Sequence, residues 1–234
     1  MTSIAGQRVG DPAIDVARHR EDVAVGEEIV RHKLSVRFVH WSVAATFLLS
    51  LISGLPIWTP VFGWMAGLLG GLSVCRVLHP YAGLLFFGLS GALFAQWIGR
   101  MRLERDEWGW LGPRLVRYMR WDVQPHEHTG KYNGGQKVYF WAVSLGALVL
   151  LLSGVVLWFP TAVSAPLHWA AVIVHDVTFV VFTVGLVFHV YLGSAAEPGT
   201  FRSMVRGTVT RDWARFHHPG WYEEVTGEEV RRER

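Results

Sequence analysis

The sequence predicts an all-α protein that forms a four-helix bundle in a membrane. Of its 234 residues, 51% are apolar and 12 are tryptophans, and the mean hydropathy is +0.26, which is too apolar for an ordinary soluble domain. Four apolar runs are each long enough to cross the ~30 Å hydrocarbon core of a bilayer. They cover residues 38–58, 80–99, 138–159 and 168–192. We expect these spans to lie in one domain covering residues 37–200.

The distribution of basic residues supports four spans and sets their orientation. Of the 22 Lys and Arg, six lie in residues 1–37, eight in 100–137 and seven after residue 192. Only Arg76 lies elsewhere. With four spans, the three basic regions lie on one side of the membrane, and the positive-inside rule makes that side cytoplasmic. Both termini then lie in the cytoplasm as well. A fifth span at residues 61–75 would put two of these regions outside, so we expect that glycine-broken stretch to be re-entrant or interfacial.

Polar segments flank the predicted domain. Residues 1–36 are charged and lack the apolar core of a cleaved signal peptide, so we expect a mobile cytoplasmic tail. Residues 201–234 mix Trp213, Trp221 and basic side chains, a composition typical of a segment that lies on the inner membrane surface. The net charge of +3 follows from the basic residues at that surface and does not indicate nucleic-acid binding.

Four histidines lie near the ends of the predicted spans. His40 opens the first run, His79 opens the second, and His175 and His189 lie in the last. The last two are 14 residues apart, so on one helix they share a face and are about 21 Å apart along the axis. In the predicted topology His40 and His189 lie at the cytoplasmic level, and His79 and His175 at the outer level. Each level therefore offers two imidazoles, the axial ligands of a b-type haem.

Other interpretations of these histidines remain open at this point. Each one alone is equally well explained by a hydrogen bond to a neighbouring helix, and only the pairing by level favours two haems. His168 lies on nearly the same face as His175 and is an alternative outer ligand, although an interfacial His-Trp pair is ordinary at the start of a span. Cys75 is the only cysteine, so covalent C-x-x-C-H attachment of haem is excluded.

Three more residues in or beside the spans are ambiguous. Arg37, one turn before His40, is a candidate partner for a haem propionate, with lipid phosphate as the alternative. Asp176 either positions a histidine or propionate or faces water. Gly185, one turn before His189, either lets a porphyrin lie against the backbone or permits close helix packing.

The segment 130–137, before the third span, reads Gly-Lys-Tyr-Asn-Gly-Gly-Gln-Lys. Its glycines free backbone N–H groups, and Asn133 and Gln136 offer amide donors, all of which suit a quinone carbonyl. By composition alone, the segment is also an ordinary turn before a helix. Residues 126–128, His-Glu-His, are candidates for a proton relay or for a solvated loop.

Together these motifs resemble the cytochrome b (gamma) subunit of respiratory formate dehydrogenases, from about residue 37 to residue 225. The motifs are Arg37-x-x-His40-Trp41, Leu78-His79-Pro80, residues 130–137, His175, His189-Val-Tyr191 and Trp213-Ala-x-x-His-His-Pro-x-Trp-Tyr-x-Glu224. The chain departs from the family in a longer N-terminal tail, in Gly134 where alanine is usual, and in Asp176 where a small residue is expected.

The resemblance implies a four-helix cytochrome of the bacterial inner membrane with two non-covalent haems b. It assigns the outer haem to His79 and His175, and the inner haem to His40 and His189. It assigns quinone binding to Asn133, Gly135 and Gln136.

The resemblance also implies partners. A molybdenum or tungsten catalytic (alpha) subunit would oxidise formate outside the membrane, and an iron–sulfur (beta) subunit would pass electrons to the outer haem. Quinone would be reduced at the cytoplasmic side, and this chain would hold no formate-oxidising site. The alternatives are the dihaem cytochrome b of a hydrogenase or of a thiosulfate- or polysulfide-type reductase, and a haem-free membrane anchor or small transporter.

Overall fold

The computed structural model describes residues 11–119 and 129–230. Among these residues, four helices are long and apolar enough to cross a membrane, which confirms the number of spans predicted from the sequence. In chain order the helices and strands are α1 (Pro12–Val16), β1 (Val23–Val25), β2 (Glu28–Val30), α2 (Leu34–Trp58), α3 (Leu72–Trp97), α4 (Pro113–Met119), α5 (Gly134–Trp158), α6 (Ala165–Tyr191), α7 (Thr200–Val205), β3 (Thr208–Thr210), α8 (Arg211–His217) and α9 (Pro219–Thr226).

The second span begins earlier than the sequence predicts. Gly70 and Gly71 have positive φ angles of 91° and 110°, which glycine adopts readily, and they separate the 3₁₀-helix Pro60–Leu69 from α3. Pro80 lies inside α3 rather than at its first residue, so it interrupts the ladder of backbone hydrogen bonds without ending the helix. Residues 61–75, expected to be one re-entrant or interfacial stretch, are therefore divided between this 3₁₀-helix and the start of α3, and His79 lies about two turns inside α3.

The third span also begins earlier, at Gly134. Residues 135–137, predicted as a loop before the helix, form the first turn of α5. A Cβ on Gly134 would lie 2.2 Å from Cδ1 of Trp110, whose side chain is buried. The helix can start against this indole because Gly134 has no side chain.

One compact unit consists of Met1–Arg37, Gly109–Gly134 and Val190–Arg234, and we refer to it as the terminal unit. An antiparallel sheet of order β1–β2–β3 joins the two ends of the chain, with Ile29 opposite Val209. Its apolar core is formed by Ile29, Val209, Trp213, Ala214, Trp221 and Tyr222.

This unit differs from the two tails that the sequence predicts. The described parts of residues 1–36 and 201–234 form the sheet, short helices and a common core. Trp213 and Trp221 are buried in that core, so neither indole is available for contact with the inner membrane surface, the role expected for this segment. The difference arises because β3 pairs with a hairpin almost 180 residues away in sequence, and each segment alone is too polar to indicate the pairing.

The second unit, Phe38–Trp108 and Gly135–His189, contains most of the four long helices, and we refer to it as the histidine bundle. Many of its large apolar side chains are exposed, among them Phe38, Ile173 and Val187. Exposed aliphatic surfaces on long apolar helices suit contact with lipid.

Candidate functional site

The structure brings the four predicted histidines together as two pairs. His79 of α3 faces His175 of α6, with ring centroids 6.2 Å apart and ring planes at 74°. His40 of α2 faces His189 of α6, with centroids 6.1 Å apart and planes at 49°. These are the pairs that the predicted topology assigns to one level each.

Hydrogen bonds fix the orientation of the first pair. The Nδ1 of His79 lies 3.0 Å from the carbonyl oxygen of Ser50, which can only accept, so Nδ1 carries the proton. The Ser153 hydroxyl donates to the carbonyl of Val149 at 2.7 Å, so it accepts from Nδ1 of His175 at 2.9 Å. Both rings therefore keep the lone pair of Nε2 for a metal.

The second pair is held by aromatic contacts. The ring of Tyr139, on α5, lies parallel to the imidazole of His189, with centroids 4.9 Å and planes 4° apart. His40 makes an edge contact with Trp41 at 5.3 Å. Its Nδ1 is buried and has no hydrogen-bond partner among the described residues.

Both pairs fit an iron atom held between two imidazoles. A metal–nitrogen bond of about 2 Å on each side, together with the half-width of each ring, places the centroids of two opposite imidazoles about 6 Å apart. The observed separations of 6.1 and 6.2 Å match this distance, whereas a direct hydrogen bond between the two rings requires a closer approach.

Glycines make room for the imidazoles of one pair. A Cβ on Gly54 would lie 2.8 Å from Cε1 of His79, and one on Gly154 would lie 3.4 Å from Cε1 of His175. Gly185 differs, because its Cβ would make only an ordinary contact, 3.6 Å, with the Tyr139 ring. Gly54 thus serves the histidine site directly, while Gly185 lies against the tyrosine that stacks on His189.

The other candidates near the pairs have separate surroundings. His168 makes an edge contact with Trp169 at 6.1 Å and is paired with none of the four histidines, which supports His175 as the ligand. Asp176 is half-buried. Arg37 belongs to the terminal unit, where it donates to the carbonyl of Val205 at 2.7 Å.

In the terminal unit, three backbone carbonyls before Asn133 accept hydrogen bonds from the ends of the chain. The donors and acceptors are Trp221 N to Thr129 O at 3.3 Å, His218 Nδ1 to Gly130 O at 2.7 Å, and Arg31 Nη2 to Lys131 O at 2.5 Å. The buried Lys131 ammonium also lies 2.9 Å from Asp22 and 3.5 Å from Glu21. The segment that leads to Asn133 is therefore fixed by both termini.

Arg31 and His218 are two buried titratable groups of this unit. The Arg31 guanidinium is buried over the rings of Trp213, Trp221 and Tyr132, at 4.9, 5.2 and 5.7 Å. Burial lowers the pKa of Arg31 to about 10, so it remains charged at neutral pH. Burial and the nearby Arg31 charge hold the pKa of His218 well below its usual value, so its imidazole is neutral.

Sequence analysis missed several residues that the structure places beside the predicted ones. Tyr139, Ser50 and Ser153 contact the histidines, and the carboxylate of Glu107 forms an ion pair with Lys137 at 2.7 Å. Tyr139 lies one turn after Gln136 on α5, and this spacing is the one sequence signal that points to it. Residues 126–128, the candidates for a proton relay, lie outside the described residues.

Comparisons with known proteins show which proteins this chain is similar to. The family described as prokaryotic cytochrome b561 matches residues 31–207. The chain is 35% identical over 202 residues to the formate dehydrogenase cytochrome b556(fdo) subunit of Escherichia coli K12, covering 85% of this chain and 94% of that protein. It is 30% identical over 208 residues to the formate dehydrogenase cytochrome b556 subunit of Haemophilus influenzae, covering 87% and 86%.

Proposed function

Because the chain belongs to the prokaryotic cytochrome b561 family, we propose that it is the membrane electron-transfer subunit of a formate dehydrogenase complex. Two relatives with 35% and 30% identity are cytochrome b556 subunits of formate dehydrogenases, and the similarity covers most of each chain. The observation that carries the proposal is the arrangement of four histidines in two pairs with centroids about 6 Å apart.

Each histidine pair would hold one haem b. His79 and His175 would ligate the haem at the outer level, and His40 and His189 the haem at the cytoplasmic level. The hydrogen bonds to Nδ1 of His79 and His175 support this assignment, because they leave the lone pair of Nε2 free to bind iron. When bound, the two haems would carry single electrons across the membrane.

Quinone would bind at the cytoplasmic level, with the amides of Asn133 and Gln136 and the backbone N–H of Gly135 as hydrogen-bond donors. The match of residues 130–137 to the family motif supports the assignment, as does the tight fixation of the segment before Asn133. Neutral donors suit a carbonyl that must be released after reduction, because they bind it without adding charge.

We propose the remaining components of the complex from the resemblance to formate dehydrogenases. An iron–sulfur subunit at the outer side would supply the electrons, and a molybdenum or tungsten subunit would oxidise formate. The basic residues of the loop and both tails would face the cytoplasm of a bacterial inner membrane. This chain would contribute haem ligands and quinone contacts and no formate-binding residue.

A pyridine haemochrome assay on the purified protein tests the proposal. We expect two haems b per chain, with the loss of one haem in His79→Ala and of the other in His189→Ala. In membranes, formate should reduce both haems of the wild type and only the outer haem of His189→Ala. Reduction by hydrogen but not by formate would assign the chain to a hydrogenase, and absence of haem would leave a membrane anchor.

A further inference from the structure

Three phenylalanines from three helices meet inside the histidine bundle, and we refer to them as the phenylalanine triad. The ring centroid of Phe47 on α2 lies 5.4 Å from that of Phe86 on α3 and 5.8 Å from that of Phe182 on α6. The centroids of Phe86 and Phe182 are 6.2 Å apart. All three distances fall within the range of favourable contact between aromatic rings.

Every member of the triad lies seven residues along its helix from a paired histidine. The intervals are His40 to Phe47, His79 to Phe86, His175 to Phe182 and Phe182 to His189. Seven residues are about two helical turns, so each phenylalanine shares a face with its histidine and is displaced by about 10 Å along the axis. The triad therefore lies between the two histidine pairs, about half-way from one to the other.

The third span, α5, provides the space that the triad needs. A Cβ on Gly146 of α5 would lie 2.3 Å from Cε2 of Phe182, so the ring is packed directly against the α5 backbone. Phe86 is 5% exposed even though most large apolar side chains of the four spans are exposed. All four spans thus contribute to one layer at this height, in which Phe86 is buried and Phe47 and Phe182 are half-buried.

Polar groups next to the triad are satisfied within their own helices. The hydroxyl of Thr46, beside Phe47, donates to the carbonyl of Ser42 at 2.8 Å. The hydroxyl of Thr183, beside Phe182, donates to the carbonyl of Phe179 at 2.9 Å. Each hydroxyl uses its only proton inside its own helix, so neither donates a hydrogen bond to a water molecule next to the rings.

We propose that the phenylalanine triad is a water-excluding spacer between the two haem sites, and that it sets their redox potentials and the rate of electron transfer between them. This inference rests on the proposed function. In the step concerned, one electron passes from ferrous iron at one site to ferric iron at the other, and no proton or atom moves. An apolar layer disfavours the more highly charged ferric form, so it raises the redox potentials of both haems. Closely packed side chains also allow faster electron tunnelling than an empty gap or a layer of water of the same width.

The test replaces Phe182 with alanine or leucine, with Phe94→Ala and Phe94→Leu as matched controls. Phe94 stacks on Phe140 at 5.4 Å in the same bundle but is not part of the triad. Three properties of the purified protein are measured: haem content, the midpoint potentials by potentiometric titration, and the reduction of each haem after mixing with duroquinol. The quinol reduces the cytoplasmic haem first, and the outer haem then reports the transfer between sites.

We expect Phe182→Ala to keep both haems, to shift both potentials downward and to slow reduction of the outer haem several-fold. Phe182→Leu should show smaller changes of the same sign, and the Phe94 variants none. Unchanged potentials and rates in Phe182→Ala would overturn the inference. Equal loss of both haems from both Phe182 variants would overturn it too, since the triad would then be only a folding core. A wild-type protein without two haems would instead refute the proposed function.

Discussion

The phenol ring of Tyr139 lies parallel to the imidazole of His189, with the two planes 4° apart and the centroids at 4.9 Å. The two residues belong to α5 and α6, so the contact links a span without paired histidines to the histidine site. The contact fixes the plane of the imidazole without using either of its nitrogens. If His189 ligates the haem proposed at this level, Tyr139 would act as a positioning residue for it, because a ligating imidazole transmits its orientation to the iron.

Replacement of Tyr139 with leucine should weaken the cytoplasmic haem site, whereas Tyr139→Phe should preserve it. An aromatic pair contributes about 0.5–1.5 kcal/mol beyond its burial, so its loss corresponds to about a tenfold lower affinity for haem at most. The measurement is the low-spin electron paramagnetic resonance spectrum of the oxidised protein, together with haem content. The signal of the outer haem is the internal control. Equal spectra for Tyr139→Leu and wild type would show that stacking does not orient His189.

A second prediction concerns Gly54, whose missing side chain leaves room for His79. The Cβ of Gly54→Ala would lie 2.8 Å from Cε1 and 2.9 Å from Nδ1 of that imidazole, so the ring must move and lose its bond to Ser50. We expect loss of the outer haem alone, measured by pyridine haemochrome. Gly154→Ala, with a 3.4 Å contact to His175, should have a weaker effect. Gly88→Ala is the control, because nothing lies within 4 Å of its added Cβ.

These glycines show how far the sequence predicted the site. The spacing of four histidines predicts their pairing, because helical periodicity and the basic loops fix both face and height. The role of Gly54 was not predictable, since α2 and α3 approach each other only in the folded bundle. The terminal unit was missed for a similar reason: its sheet joins Ile29 to Val209, and no local pattern indicates such a distant pairing.

A third prediction concerns Gly134, where the resemblance to formate dehydrogenase cytochromes leads us to expect alanine. Here the Cβ of Gly134→Ala would lie 2.2 Å from Cδ1 and 2.7 Å from Nε1 of the buried Trp110, so alanine should be destabilising in this chain. Overpacking of this kind costs about 1–3 kcal/mol. The measurement is the apparent melting temperature of Gly134→Ala and of the double variant Gly134→Ala/Trp110→Leu. The smaller leucine side chain should relieve the contact and restore part of the lost stability. If the double variant is no more stable than the single one, the indole is not the reason for glycine at this position.

The last prediction concerns pH and the buried His218, whose Nδ1 donates to Gly130, three residues before Asn133. Its pKa in the folded protein is well below the usual value of about 6.5, so the unfolded chain binds the proton more readily. Stability is therefore complete above about pH 6.5 and falls as the pH drops below it, by at most about 1.4 kcal/mol per pH unit for this group. His217 contributes with the same sign, since burial also lowers its pKa.

Substitution of His218 by glutamine separates the contributions of His217 and His218 to the pH dependence of stability. The amide of glutamine can still donate a hydrogen bond to Gly130, but it does not titrate. We expect the variant to lose less stability than wild type between pH 7 and pH 5.5, with the remaining pH dependence due to His217 and other groups. Hydrogen exchange of peptides containing β2 and β3, corrected for its intrinsic pH dependence, reports on this unit alone. Parallel pH profiles for the two proteins would mean that His218 is protonated without unfolding, and that its bond to Gly130 does not hold the segment in place.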